Sequence, residues 1–144
     1  MDVQLDVNGF VRHPLSLSLT DLREKYTPAT VSVQFLHDDH PVNATFTGAR
    51  LWDILQTAGL KDETNVNLRV RARAADRFRC HLRLNEINPA TSDRVILVAY
   101  EQDGAPLGAG AGPLRLAVPG DPMGLRYLRG LVMLTVLEPD KDEV

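Results

Sequence analysis

The chain has 144 residues, 44% hydrophobic and 24% charged, with a net charge of −3. That length suits one domain, which buries roughly 68–70% of its unfolded surface, and the acidic balance gives no reason to expect nucleic acid as a partner. No apolar run approaches the roughly 20 residues that span a bilayer, and a single cysteine, Cys80, excludes an internal disulfide and any cysteine-cluster metal site.

Val3, Leu5 and Val7 alternate with polar residues, the period of a half-buried strand, and Asn8-Gly9 signals a turn. Leu15, Leu17 and Leu19 continue the alternation in a second extended segment. Thr20 is the expected cap of a short helix over 21–26, stopped by Pro28. A third strand begins at Val31, Val33 and Phe35 and is expected to run into a polar loop, His37-Asp38-Asp39-His40-Pro41, before a short extended piece near Phe46. The clearest helix follows Gly48: Leu51, Ile54, Leu55 and Ala58 form one apolar stripe, and Gly59 supplies the stop. Val66, Leu68, Val70 and Ala72 mark a further strand, and Phe78, Cys80 and Leu82 the apolar face of the next. The run 95–100 reads as a central strand covered on both faces. Strands at 114–118 and 131–137 close a single domain over 1–137, followed by an acidic tail, 138–144, expected to be mobile. Many strands, two or three short helices and no regular strand-helix alternation predict an α+β, mainly β domain with a mixed sheet.

Several constellations bear on chemistry. The 37–40 loop offers two imidazoles and two carboxylates, which fit a solvated connection, a pocket wall or part of a transition-metal site. Arg69, Arg71 and Arg73, then Arg77, Arg79, His81 and Arg83, make the polar face of two strands basic. No aromatic residue is expected among them for base stacking; the face fits a solvated one that carboxylates from elsewhere approach, or one that meets an acidic partner or a membrane surface. The small residues 108–112 lack the GK[ST] ending of a phosphate loop and lead into a strand. Gly112-Pro113-Leu114-Arg115, with Arg126 and Arg129 beyond it, places guanidinium groups where an anionic ligand would be held. Asp53 and Glu86 carry no evident partner.

Read in order, these stretches resemble the molybdopterin-binding domain of the sulfite oxidase superfamily. Val7-Asn8-Gly9-Phe10-Val11 with Pro14-Leu15-Ser16-Leu17 is similar to its opening segment. Phe46-Thr47-Gly48-Ala49-Arg50-Leu51-Trp52-Asp53-Ile54-Leu55, ending at Ala58-Gly59, resembles its "W/F-x-G-x-x-L-x-D-L-L-x-x-A-G" helix. Ala75-Asp76-Arg77-Phe78 resembles its "A-D-G-Y" turn. The stretch from Val95 to Tyr100, then Asp103-Gly104-Ala105-Pro106-Leu107, resembles its "V-L-L-A-Y-x-x-N-G-x-P-L" hairpin, and the 112–119 and 126–129 stretches complete the set.

The resemblance implies a sulfite oxidase-like fold and a pterin or molybdopterin-type ligand. It assigns the pterin and its phosphate to Arg115 and Arg129, with Arg126, Asp76, His37, His40 and Gly112 at the same pocket. The family's molybdenum-binding cysteine should follow the strand 31–35, yet residues 30–50 contain none. Gly110 stands where full-length enzymes of the family have a histidine, and Arg77 replaces the turn glycine. Cysteine-less stand-alone relatives include proteins that bind pterins without metal and act as sensors with partner proteins. The resemblance therefore implies non-catalytic binding with no molybdenum. The alternatives are a molybdenum oxidoreductase using His37 or Asp38 in place of cysteine, or a ligand-free interaction module with a protein partner. The start of the chain lacks a signal-peptide pattern, so a cytoplasmic location is expected, or a periplasmic or extracellular one if a leader was removed.

Overall fold

The computed structural model describes residues 4–62, 68–108, 112–120 and 126–138. Among these the chain forms β1 (Gln4–Gly9), β2 (Leu15–Ser18), α1 (Leu19–Glu24), β3 (Ala29–His37) and β4 (His40–Arg50). Next come α2 (Leu51–Ala58), β5 (Arg69–Ala74), β6 (Arg79–Arg83) and α3 (Leu84–Ile87). The last elements are β7 (Leu97–Gln102), β8 (Ala105–Pro106), β9 (Arg115–Ala117) and β10 (Leu131–Leu137). They build two sheets, β2-β1-β10-β5-β6 and β3-β4-β7-β8, with β9 pairing β7 in the second. β1 and β10 run parallel and the other pairs antiparallel, so the fold is α+β with a mixed sheet, as expected.

The main core draws on both sheets and α2: Leu5, Val7, Val70, Leu82 and Leu134 from the first, Val98, Leu116 and Val118 on the second, and Leu51, Ile54 and Leu55 from the helix. A second, smaller cluster covers the outer face of the second sheet, with Phe35, Ala44, Phe46, Leu97, Ala99, Ala117 and Tyr127. Residues of β7 therefore alternate between two cores, which explains the continuous apolar run. Gly48 lets β4 approach β7: a Cβ there would lie 2.1 Å from the Val98 carbonyl oxygen.

Several boundaries differ from the sequence reading. Ser18, not Thr20, caps α1; its hydroxyl accepts from the Asp21 N–H while the Asp21 carboxylate accepts from the Ser18 N–H, each at 3.0 Å. The polar segment 37–41 is no loop: both strands run to its ends, and only Asp38 and Asp39 turn, at φ 50° and 63°. Aspartate tolerates this left-handed backbone because its short side chain bonds locally. The short piece near Phe46 is consequently an eleven-residue strand. Phe78 is 71% exposed, because the turn before β6 extends through it and the strand begins only at Arg79. Arg77 also lies in that turn, at φ 76°. The tail beyond Glu138, the segment 109–111 and Val66 lie outside the described residues.

Candidate ligand-binding site

Alternation along β9 puts Leu114, Leu116 and Val118 in the main core and turns Arg115 and Ala117 to the outer face of the second sheet. Arg115 is nevertheless only 5% exposed, the one buried charged residue among those described. Its guanidinium lies 5.4 Å from the ring centroids of both Phe35 and Phe46. Phe35 in turn stacks on Tyr127 at 4.4 Å. The Arg115 Nε–H donates to the Tyr127 carbonyl at 3.3 Å, and among the described residues no carboxylate pairs with this cation. Burial, and next the like charge of Arg129, pull its pKa down to about 10. Buried charges are ordinarily paired, so an aromatic-walled guanidinium with one weak backbone acceptor is a donor set in want of an anion or an oxygen-rich edge.

Backbone pairing assembles the rest of this corner. Arg115 and Arg129 face each other across an antiparallel bridge, flanked by Leu116 N–H to Leu128 O at 2.9 Å and Leu131 N–H to Leu114 O at 3.0 Å. Arg129 is exposed, so one guanidinium is sunk and its neighbour open to solvent. The Ala75 N–H donates to Gly130 O at 2.9 Å, which brings the turn holding Asp76 beside Arg129. Asp76 is exposed, and its carboxylate accepts from the Phe78 N–H at 3.0 Å, fixing the turn while leaving a second oxygen outward. Backbone pairing thus joins the segments that carry Arg115, Arg129 and Asp76, which are distant in sequence.

The remaining predicted residues are placed differently. Arg126 is turned to Glu86, with two parallel hydrogen bonds of 3.0 and 2.9 Å, and reaches His81 O at 3.4 Å. Arg94 adds a third contact to Glu86 at 3.2 Å. Burial raises the Glu86 pKa, but hydrogen bonds from Arg126 and the Arg83 N–H, with the charges of Arg126 and Arg94, outweigh it and hold the carboxyl below its usual range. Glu86 therefore ties α3 to the segments preceding β7 and β10. The sequence reading left it without a partner because the clamp spans 40 residues. His37 and His40 face each other at the β3–β4 hairpin tip, two residues beyond Phe35 in the ladder. His40 is exposed, and the His37 side chain lies outside the described structure. The Gly112 N–H bonds Gly108 O at 2.8 Å, ahead of Pro113 and β9.

Two open depressions lie elsewhere on the surface. One of 540 Å³ is walled by Ser32, Gln34, Asn43, Thr45 and Asp103, and one of 420 Å³ by Gly9, Phe10, Lys61 and Thr135. Neither includes Arg115 or Arg129, and size alone is a weaker guide to a ligand than a buried cation without a counter-charge. Tyr127, Phe35 and Phe46, which surround Arg115, carry no signal in the sequence beyond the adjacency of Arg126-Tyr127 to Arg129.

The chain belongs to the oxidoreductase molybdopterin-binding domain family, whose model matches residues 1–144. Its fold is that of the sulfane dehydrogenase SoxCD from Paracoccus pantotrophus, with a TM-score of 0.80 over 98% of this chain at 20% sequence identity. This chain spans 39% of that protein's chain, so the likeness extends to one part of it. No curated protein sequence matches significantly. The residues present fit the pterin and phosphate parts of a molybdopterin-type cofactor, through the Arg115 and Arg129 forks and the Asp76 carboxylate. They do not offer the thiolate that the family gives molybdenum: Cys80 is on β6 of the other sheet and packs against the main core. Among the described residues no three His, Cys, Asp or Glu side chains group closely enough to hold a metal ion.

Proposed function

We propose that this domain binds a pterin or molybdopterin-type ligand without catalysing a reaction on it, and that it holds the ligand without molybdenum. The observation that carries the reading is Arg115: a buried guanidinium against Phe35 and Phe46, with no carboxylate among the described residues to neutralise it. A phosphate or a pterin carbonyl supplies the missing acceptor. Arg129 adds a second fork at the rim, and Asp76 accepts from the amino-bearing edge of the ring. With no thiolate at this corner, the chemistry left to the chain is recognition: burying the ring, neutralising the phosphate and excluding water.

Calorimetric titration with dihydroneopterin monophosphate, which carries both a pterin edge and a phosphate, tests the reading. Removing one side of a charge-assisted pair costs about 1.5–3 kcal/mol, so a folded Arg115→Ala protein should bind at least about ten-fold more weakly. Unchanged affinity in that variant would move the site away from this corner.

A further inference from the structure

The outer face of the first sheet carries a second cationic feature that the ligand site does not use. β5 and β6 pair Arg69 with Arg83, Arg71 with His81 and Arg73 with Arg79, so like charges face each other in all three rows. The six side chains share one face, because Val70, Ala72 and Leu82 between them are buried in the main core. Five of the six are exposed and Arg71 is half-buried. Directly opposed like charges are destabilising, and the sequence reading expected carboxylates to relieve them. Among the described residues no carboxylate is seen to do so: Glu86, Glu101 and Asp21 pair with other cations. The next strand presents Met133, Thr135 and Leu137 beside the arginines, and Asp6 lies a strand further, accepting from Ser16. His81 responds to this crowding: burial first, then the charges of Arg69, Arg71 and Arg79, hold its pKa below the usual imidazole range.

We infer that this arginine grid is a docking surface for an extended acidic segment of a partner protein. Neither depression described above involves this open sheet face, which suits a chain laid across it better than an enclosed small molecule. Alternate residues of a strand repeat at about 6.7 Å, so the three rows span about 13 Å. An extended segment with carboxylates on every second residue presents its charges at the same repeat. Arginine in five of six positions matches bidentate carboxylate binding, for which a planar fork is suited and a lysine is not. The six positions and the adjoining β10 row contain no aromatic residue, which sets the face apart from the stacking platforms that bind single-stranded nucleic acid. The outer edge of β6 is occupied at His81 O by Arg126, so docking is to the face and not by strand addition at that carbonyl.

The test is fluorescence anisotropy at low salt with a labelled peptide of roughly ten residues alternating Asp and Ser, long enough to cross the three rows. The peptide should bind, and the double variant Arg71→Glu/Arg79→Glu should weaken binding at least about ten-fold, with Arg71→Gln/Arg79→Gln falling between. Lys61→Glu, a reversal on an exposed residue elsewhere, should change it by less than about two-fold. A wild-type circular dichroism spectrum and a cooperative urea transition establish that the double variants are folded. Wild-type affinity in the folded charge-reversed protein would overturn the proposal. So would stronger competition by oligothymidylate or by phosphatidylserine vesicles than by unlabelled peptide. The chain's own Glu138, Asp140 and Asp142 repeat at the same two-residue period after Leu137. A several-fold gain in peptide affinity on deleting residues 139–144 would assign the face to that segment and overturn the proposal as well.

Discussion

Replacing Arg115 with methionine should make the protein more stable and less able to bind its ligand. Burial pulls the guanidinium pKa down to about 10, a fall that places a penalty of about 3 kcal/mol on the charged form in the fold. At neutral pH the group is charged both folded and unfolded, so the penalty is fully present there and is relieved only as pH rises through the folded value. Methionine removes it while keeping an unbranched, ring-contacting side chain. The losses are the hydrogen bond to Tyr127 O, about 1 kcal/mol, and the cation–π contacts with Phe35 and Phe46, about 1 kcal/mol together. The balance is a gain of about 1 kcal/mol, or a melting temperature about 3–4 °C higher. Urea unfolding of the ligand-free protein measures it, and calorimetry on the same sample measures the accompanying loss of pterin phosphate affinity. A variant that is less stable by more than about 2 kcal/mol and binds as well as wild type would refute the reasoning, because Arg115 would then be a structural residue already satisfied by the fold.

Three further predictions address other parts of the molecule. Glu86→Gln leaves Arg126 and Arg94 without their counter-charge and should cost about 1–3 kcal/mol in urea unfolding. Because the folded Glu86 pKa is depressed, its contribution is complete above the usual carboxylate range and is lost as pH falls through the folded value, so wild type and variant should converge in acid. His81 should titrate below the usual imidazole range by NMR, stability should fall as pH drops through the interval between the folded and unfolded values, and salt should restore only the part of the shift due to the arginines. Gly48→Ala would press a Cβ against the Val98 carbonyl and Ala99 Cα, at 2.1 and 2.6 Å before any shift, and should cost about 2 kcal/mol or more by thermal unfolding.

How much could be read from the chain follows the range of each interaction. The α2 stripe and its Gly59 stop were legible because helix period and cap lie within a few residues, and the cap N–H bonds Leu55 O as expected. The double-sided burial of β7 was legible from an unbroken apolar run. The hairpin at 38–39 was not, since Asp-Asp is a weaker turn signal than Asn-Gly and the polar flanks 37–41 look like a loop. The alternation that placed Cys80 with Leu82 was sound, but extending it to Phe78 failed where the turn began. Arg115 was a candidate only through its neighbours in the chain and the family resemblance they carry. Its burial, the Phe35, Phe46 and Tyr127 walls, and the meeting with Arg129 all depend on how three segments pair. The Glu86–Arg126 clamp lay beyond reach for the same reason, and it draws Arg126 away from Arg115 although the two are close in sequence.

The most direct test of the central claim is to measure pterin and molybdenum together in protein purified from molybdate-supplemented cells that make molybdopterin. Native mass spectrometry and elemental analysis should find a pterin-mass adduct on the wild-type chain, none on Arg115→Ala, and molybdenum far below one atom per chain. Stoichiometric molybdenum travelling with the adduct would contradict the metal-free binding account, and an adduct retained by Arg115→Ala would contradict the site.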